Sequence, residues 1–259
     1  MAIDKAVDST QLDTDLTSVA NAIRAKSGGS SQLAFPAGFV SEIGNIPSGW
    51  TVDGFLTRTE PTGEVTLNST AFSITLAQFN LVTRVNIVNA TTVPSNFLNK
   101  MTGLVTIFAP KVVYTSNSYL CENANNLLTV VIKRPGGNYS LAHCSKLAVV
   151  DISAGPIGGR NVFEKDYALK TIILRSSNVI ALTSLDSLDN NTPFKSGGTG
   201  GTIYIPESLY NHLGDGTADD YKAASNWSTL DGYGTITWAK IEGSAYDGYY
   251  ADGTPIPAE

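Results

Sequence analysis

Leu127-Leu-Thr-Val-Val-Ile132, Leu147-Ala-Val-Val-Asp-Ile152 and Leu169-Lys-Thr-Ile-Ile-Leu174 are three copies of one pattern: an aliphatic residue, two free positions, a β-branched residue, one free position and another aliphatic. Val82-x-x-Val85-x-Ile87 is a fourth copy, and a weaker one runs from Leu104 to Ile107. The starts at 82, 104, 127, 147 and 169 recur every 20 to 23 residues. A period of this size marks a stacked repeat, because one unit is too small to bury its own apolar face and must lay it on the next. Aliphatic residues alternating with Thr, Asn, Lys and Arg over four to six positions read as a short strand with one face inward and one face wet. Each turn of the stack therefore contributes one strand, and five coils at about 4.8 Å per strand give a ladder roughly 20 Å tall with an outer side-chain row facing solvent.

A second apolar group precedes each strand and is expected to fill the far wall of the same core: Phe97 with Met101, Leu120 with Ala124, Leu141 with Cys144, and Phe163 with Tyr167. Pro110, Pro135 and Pro156 sit just past the apolar runs, where a missing N–H does not interrupt the ladder.

The chain has 259 residues, 42% hydrophobic and 15% charged, with 24 Gly and 11 Pro, which suits a β-rich structure of one or two domains. A net charge of −6 without any basic run argues against nucleic acid as a partner. Two cysteines, Cys121 and Cys144, are too few for a disulfide framework and read as small buried apolar side chains, with pairing left open. With His143 and His212 the only histidines, a zinc-type cluster cannot be assembled, and no cofactor is expected. The first residues lack the apolar core of a secretory signal and no stretch approaches 18 apolar residues, so neither export nor membrane insertion is expected.

Ahead of the repeats, Leu12, Leu16, Val19 and Ile23 fall at i, i+4, i+7 and i+11 and form one apolar stripe on a helix, which Gly28-Gly29 ends. A second short helix carries Phe39, Val40, Ile43 and Ile46 after Phe35-Pro36. The pair is too small to fold alone, so Leu12, Leu16, Val19, Ile23, Phe35 and Phe39 are candidates for anchoring or oligomerisation. Residues 49–81 read as short strands between turns, at 50–54, 55–57, 63–67 and 71–76, and are expected to cap the stack. Glu207 to Trp227 reads as a helix broken near Gly214, and Thr235 to Ile241 as a strand. The Gly-rich Ser196–Gly201 is followed by a strand and by no Lys-Ser/Thr, so it fails the requirements of a phosphate-binding loop. Asp215, Asp219 and Asp220 lie close together as calcium ligands do, without EF-hand spacing. Tyr246, Tyr249 and Tyr250 are the candidate ligand-binding residues, because clustered tyrosines bring contact area at low entropic cost.

The stretch Ile23-Arg-Ala-Lys-Ser-Gly-Gly-Ser-Ser-Gln-Leu-Ala-Phe-Pro-Ala-Gly-Phe39 resembles the leader of tail-associated virion proteins of phages and prophages of Gram-positive bacteria. The repeats resemble the BspA-type leucine-rich repeat, a cell-surface adhesion module, through Val93-Pro-Ser-Asn-Phe97, Gly159-Arg-Asn-Val-Phe163 and the closing Thr202-Ile-Tyr-Ile-Pro206. Irregular coil lengths, and no Asn after the strand, point to a short, nearly straight stack in place of a horseshoe. The expected fold class is thus mainly β: a short leucine-rich-repeat (BspA-like) solenoid over 82–206, with an N-terminal helical segment (1–48), a β cap (49–81) and a C-terminal cap and tail (207–259).

The resemblance implies a phage virion structural protein, a tail fibre or receptor-binding component located in the virion. Its partners would be other virion proteins, further copies of itself with a trimer usual for fibres, and a host cell-surface glycan or protein. A head fibre or decoration protein fits the same residues, and a bacterial surface adhesin would need an export signal. A virion-associated glycan hydrolase would need two carboxylates facing a cleft, whereas Glu122, Asp151, Glu164 and Asp166 are scattered among the coils. No enzymatic activity is expected.

Overall fold

The computed structural model describes residues 16–23, 50–52, 63–70, 79–116 and 118–257. The chain divides into two compact units, Met1–Ser48 and Gly49–Glu259. In the first, residues 16–23 are helical, and Ala20 and Ile23 are buried with Leu16 packed on them. Val19 is 49% exposed, so the buried stripe runs through Ala20. Leu12, Phe35, Phe39 and the second predicted helix lie outside the described residues.

The second unit is a parallel β-solenoid. Its strands are β1 (Trp50–Val52), β2 (Gly63–Leu67), β3 (Val82–Ile87), β4 (Thr106–Tyr114), β5 (Thr129–Pro135), β6 (Val149–Ile152), β7 (Thr171–Leu174), β8 (Gly201–Ile205) and β9 (Ile236–Lys240). They form one sheet in sequence order, every neighbouring pair parallel. Each turn of chain thus returns to lie beside the strand it left. The ladder is longer than the repeat pattern suggested: β1 and β2 at one end and β8 and β9 at the other join it, giving roughly 38 Å at about 4.8 Å per strand. The expected strands at 55–57 and 71–76 lie outside the described residues.

The repeated aliphatics form the inner face. Val85, Ile107, Val130, Val150 and Ile172 are successive register partners, and all are buried. The residues that open the pattern, Val82, Leu104, Leu127, Leu147 and Leu169, are buried with them in one continuous core. Burying such a side chain fully is worth about 1.5–3 kcal/mol, and most of that is gained only when the next coil is in place.

The far wall is made of turns whose backbone recurs with the strands. Lys100, Asn123, His143 and Lys165 each precede a strand-opening leucine by four residues, and each has a positive φ of 57–65° or close to it, namely 59, 60, 65 and 62°. One residue further on, Met101, Ala124 and Cys144 point inward and are buried. The equivalent in the next coil is Asp166, not Tyr167, so the expected inward Tyr167 is 59% exposed and an acid occupies the apolar row.

Pro110 lies inside β4, where the register slips between Ala109 and Val113; the irregularity spares the ladder its missing N–H. The expected helix over 207–227 is only a single turn, Glu207–Tyr210, followed by turns and a separate helix, Trp227–Gly232. Gly214, Gly216 and Asn226 adopt positive φ there and break the run. This long coil is pinned by its aromatics: the Tyr221 hydroxyl accepts the Ile180 N–H at 2.9 Å, and Trp227 Nε1 donates to the Ile180 carbonyl at 2.7 Å. No helix among the described residues is long and apolar enough to cross a membrane.

Candidate binding surface

Strand alternation and register dictate two rows on the outer face of the sheet. One row passes from Arg84 through Thr106, Thr129, Val149, Thr171 and Thr202 to Thr237. The other runs from Thr66 through Asn86, Phe108, Val131, Asp151 and Ile173 to Tyr204. A row pointing away from the core should be wet, yet Asn86, Val131, Asp151 and Ile173 are buried.

The C-terminal segment covers them. After β9 the chain turns at Gly243 and crosses back over the sheet, ending in a hairpin. Tyr249 bridges Pro255, Tyr250 N donates to Thr254 O at 2.8 Å, and Ile256 N donates to Gly248 O at 2.9 Å. Tyr246 packs edge-on against Tyr204 of β8 at 4.9 Å, and Tyr250 packs edge-on against Phe108 of β4 at 5.4 Å. Geometry of this kind adds about 0.5–1.5 kcal/mol per pair beyond area burial.

Two arginines fasten the strap. Arg175, just after β7, holds Asp151 of β6 through Nε–Oδ1 and a second guanidinium nitrogen to Oδ2, both at 2.7 Å. It also donates to the carbonyls of Tyr246 at 3.2 Å and Tyr249 at 2.6 Å. Asp151 Oδ2 accepts the Ala251 N–H at 2.9 Å, so one buried pair ties two strands to the strap. Burial pushes the Asp151 carboxyl above its ordinary range in spite of the hydrogen bonds and charge of Arg175. At the hairpin tip Asp252 takes an ion pair from Arg84 of β3 at 2.5 Å. Arg84 Nε also donates to Asn86 Oδ1, and Asn86 in turn bonds Glu64 and Thr66 of β2. The strap thereby links coils from β8 back to β3.

Two clefts flank it. One of ≈ 320 Å³ is mostly apolar, with Val88, Phe108, Pro110, Tyr250, Pro255 and Pro257 around it and Lys111 at the rim. The other, ≈ 520 Å³, is bordered by Ser153, Arg175, Ser177, Glu242 and Tyr250. Of the three candidate tyrosines, Tyr246 and Tyr250 thus spend their rings on the sheet, with Tyr250 shared by both clefts, and Tyr249 is 49% exposed. Arg84, Asp151, Arg175 and Phe108, which position them, were not foreseen. The one available signal was the pair of charges, Asp151 and Arg175, inside or against apolar strand runs.

Elsewhere the folding gathers acids that looked scattered. Glu122 and Glu164 lie on either side of the His143 ring, at 3.6 Å from Nδ1 and 3.7 Å from Nε2. Asp166 Oδ1 accepts the Cys144 N–H at 2.8 Å while its Oδ2 is buried without a partner, and burial drives its carboxyl well above the usual range. Cys121 and Cys144 are free thiols with their sulfurs 3.5 Å apart. The hydrogen bond with Cys121, together with burial, raises the Cys144 thiol. Asp215 pairs with His212 at 2.6 Å and caps Thr217 N, and Asp220 caps Gly216 N and Lys222 N. These carboxylates close turns of their own loop, and no metal-binding cluster of His, Cys, Asp and Glu occurs among the described residues. No protein-family model, curated protein or solved structure matches the chain.

Proposed function

We propose that the chain is a structural protein of a phage virion, a tail-fibre or receptor-binding component that presents a β-solenoid to the host surface. The observation that carries this reading is the joining of the leader-like stretch Ile23–Phe39 to a stack whose outer face is dressed by a tyrosine-bearing strap. A parallel stack suits display: each coil rests on its neighbours, so loops on the far wall and the strap vary without disturbing the inner aliphatic rows. Weak contacts at such a surface become effective attachment when several copies engage together, and the N-terminal helical unit is the candidate for joining copies. Tyr249 and the clefts beside Tyr250 form the proposed contact surface, with a host glycan or protein as partner.

The experiment is mass spectrometry of purified particles from a producing lysate, followed by antibody labelling in the electron microscope. Peptides of this chain in the particles, with label at the tail, are the expected result. Particles free of the chain would overturn the proposal.

A further inference from the structure

The position two residues ahead of each strand-opening leucine faces out of the far wall, and successive coils fill it with Thr102, Asn125 and Ser145. The next coil places Tyr167 there, with 59% of its surface exposed. An aromatic ring therefore stands where the fold asks for a small polar residue, and core packing does not account for it.

The loop beside that ring is also out of pattern. Ile172 and its register partner Ile203 are 31 residues apart, against 20 to 23 in the preceding coils, and much of the excess is the stretch Asn191–Gly200. It rises next to Tyr167 and closes a cleft of ≈ 240 Å³ with Asn191, Lys195 and Thr199 among its walls. The loop is preformed. Phe194 is buried beneath it, Thr235 Oγ1 donates to Phe194 O at 2.8 Å, and Ser196 N donates to Asp189 Oδ1 at 3.0 Å. A Cβ on Gly198 would lie 2.1 Å from Pro193 O, so glycine is required for the tight return. The glycine amides do not form an anion cradle: Gly198 N, Gly200 N and Gly201 N donate to the carbonyls of Lys195, Pro193 and Thr235.

The cleft walls include the Tyr167 ring with its phenol, the Lys195 side chain, the Thr199 hydroxyl, the Pro193 ring, Thr192, whose hydroxyl is bonded to Leu188 O, and Asn191, whose Nδ2 donates to Asn190 Oδ1 at 3.0 Å. This combination suits a ligand with an apolar face and a rim of hydroxyls. The volume is below the roughly 300–1,000 Å³ of clefts that enclose drug-sized molecules, which limits the occupant to one or two rings. We propose that the cleft is a saccharide-binding site, in which a pyranose stacks its C–H face on Tyr167 and its hydroxyls bond Asn191, Lys195 and Thr199. The site adds a ligand class to the proposed display role, but it rests on the geometry of the cleft alone.

The test uses the full chain on an array of defined bacterial wall and capsule oligosaccharides, with the strongest binder then titrated calorimetrically against variants. Tyr167→Ala removes the stacking surface of an exposed residue and is expected to weaken binding about tenfold, the loss of about 1.4 kcal/mol. Tyr167→Trp keeps a ring and is expected to bind within about threefold of the parent. Lys222→Ala, at an exposed position outside both this cleft and the strap, is expected to leave the affinity unchanged. Failure of every saccharide to bind at millimolar concentration would overturn the site, as would binding that survives Tyr167→Ala. Because the readout is the purified chain, either result is independent of whether the chain is found in virions.

Discussion

Replacing Arg175 by alanine removes all four hydrogen bonds of its guanidinium and leaves the buried Asp151 carboxylate with one donor, the Ala251 N–H. Stranding one member of a buried ion pair costs about 3–5 kcal/mol. For a domain of this size each kcal/mol moves the melting temperature by about 2–4 °C, so a fall of roughly 10 °C is expected. The damage should be local first, because the strap lies outside the coils. Limited proteolysis of Arg175→Ala is therefore expected to cut within 244–257 before the strands, with mass spectrometry locating the cut. The double variant Arg175→Met with Asp151→Leu supplies the control. Burial already outweighs the pull of Arg175 on the Asp151 carboxyl, and the site is flanked by the buried Val131 and Ile173 of the same row. Removing both charges should therefore cost less than removing Arg175 alone. An Arg175→Ala protein within about 1 kcal/mol of the parent, with its C-terminal segment still protected, would refute the argument.

Asp166→Asn keeps an acceptor for the Cys144 N–H and removes a buried ionisable group. Burial raises the folded-state carboxyl above its unfolded value. The contribution of this carboxyl to stability is therefore fully present at acid pH, below the unfolded value, and is lost as pH rises through the folded one. The variant should show no such fall and be more stable by at least about 1 kcal/mol at neutral pH, read by denaturant titration across a pH series. Tyr221→Phe deprives the Ile180 N–H of its acceptor and should cost about 1–3 kcal/mol by the same titration. Gly137→Ala would set a Cβ 1.7 Å from Ser116 O, and should destabilise the chain by more than about 2 kcal/mol. Cys121 and Cys144 are buried, so a colorimetric thiol reagent should find neither in the native chain and both after denaturation.

The inner face of the stack was legible because its signal is redundant. Leu127, Val130 and Ile132 repeat as Leu147, Val150 and Ile152 with the same offsets, and a solenoid needs the same side chains in every turn. The ends of the ladder were less so. Neither β2 nor β9 carries the full pattern: the β2 stretch has Thr62 where the repeats have Val or Leu, and the β9 stretch reads Thr235-x-x-Trp238-x-Lys240. Far-wall positions failed where chemistry was weighed above offset: Tyr167 is the more hydrophobic residue, but the spacing shared by Met101, Ala124 and Cys144 lands on Asp166. The strap was invisible. Arg84 and Asp252 are 168 residues apart in the chain and belong to no repeat, so nothing local announces their pairing. The three tyrosines were picked out by composition, which marks contact area but does not distinguish a ring lying on its own sheet from one facing solvent.

The central claim is that successive turns of chain are piled in register, and spin labels at Thr106 and Thr237 measure it most directly. Both lie in one outer row, at β4 and β9, five strand spacings apart. Pulsed dipolar spectroscopy should give a single narrow distance near 24 Å, from about 4.8 Å per strand. A broad distribution, or a distance beyond about twice that value, would contradict the stack.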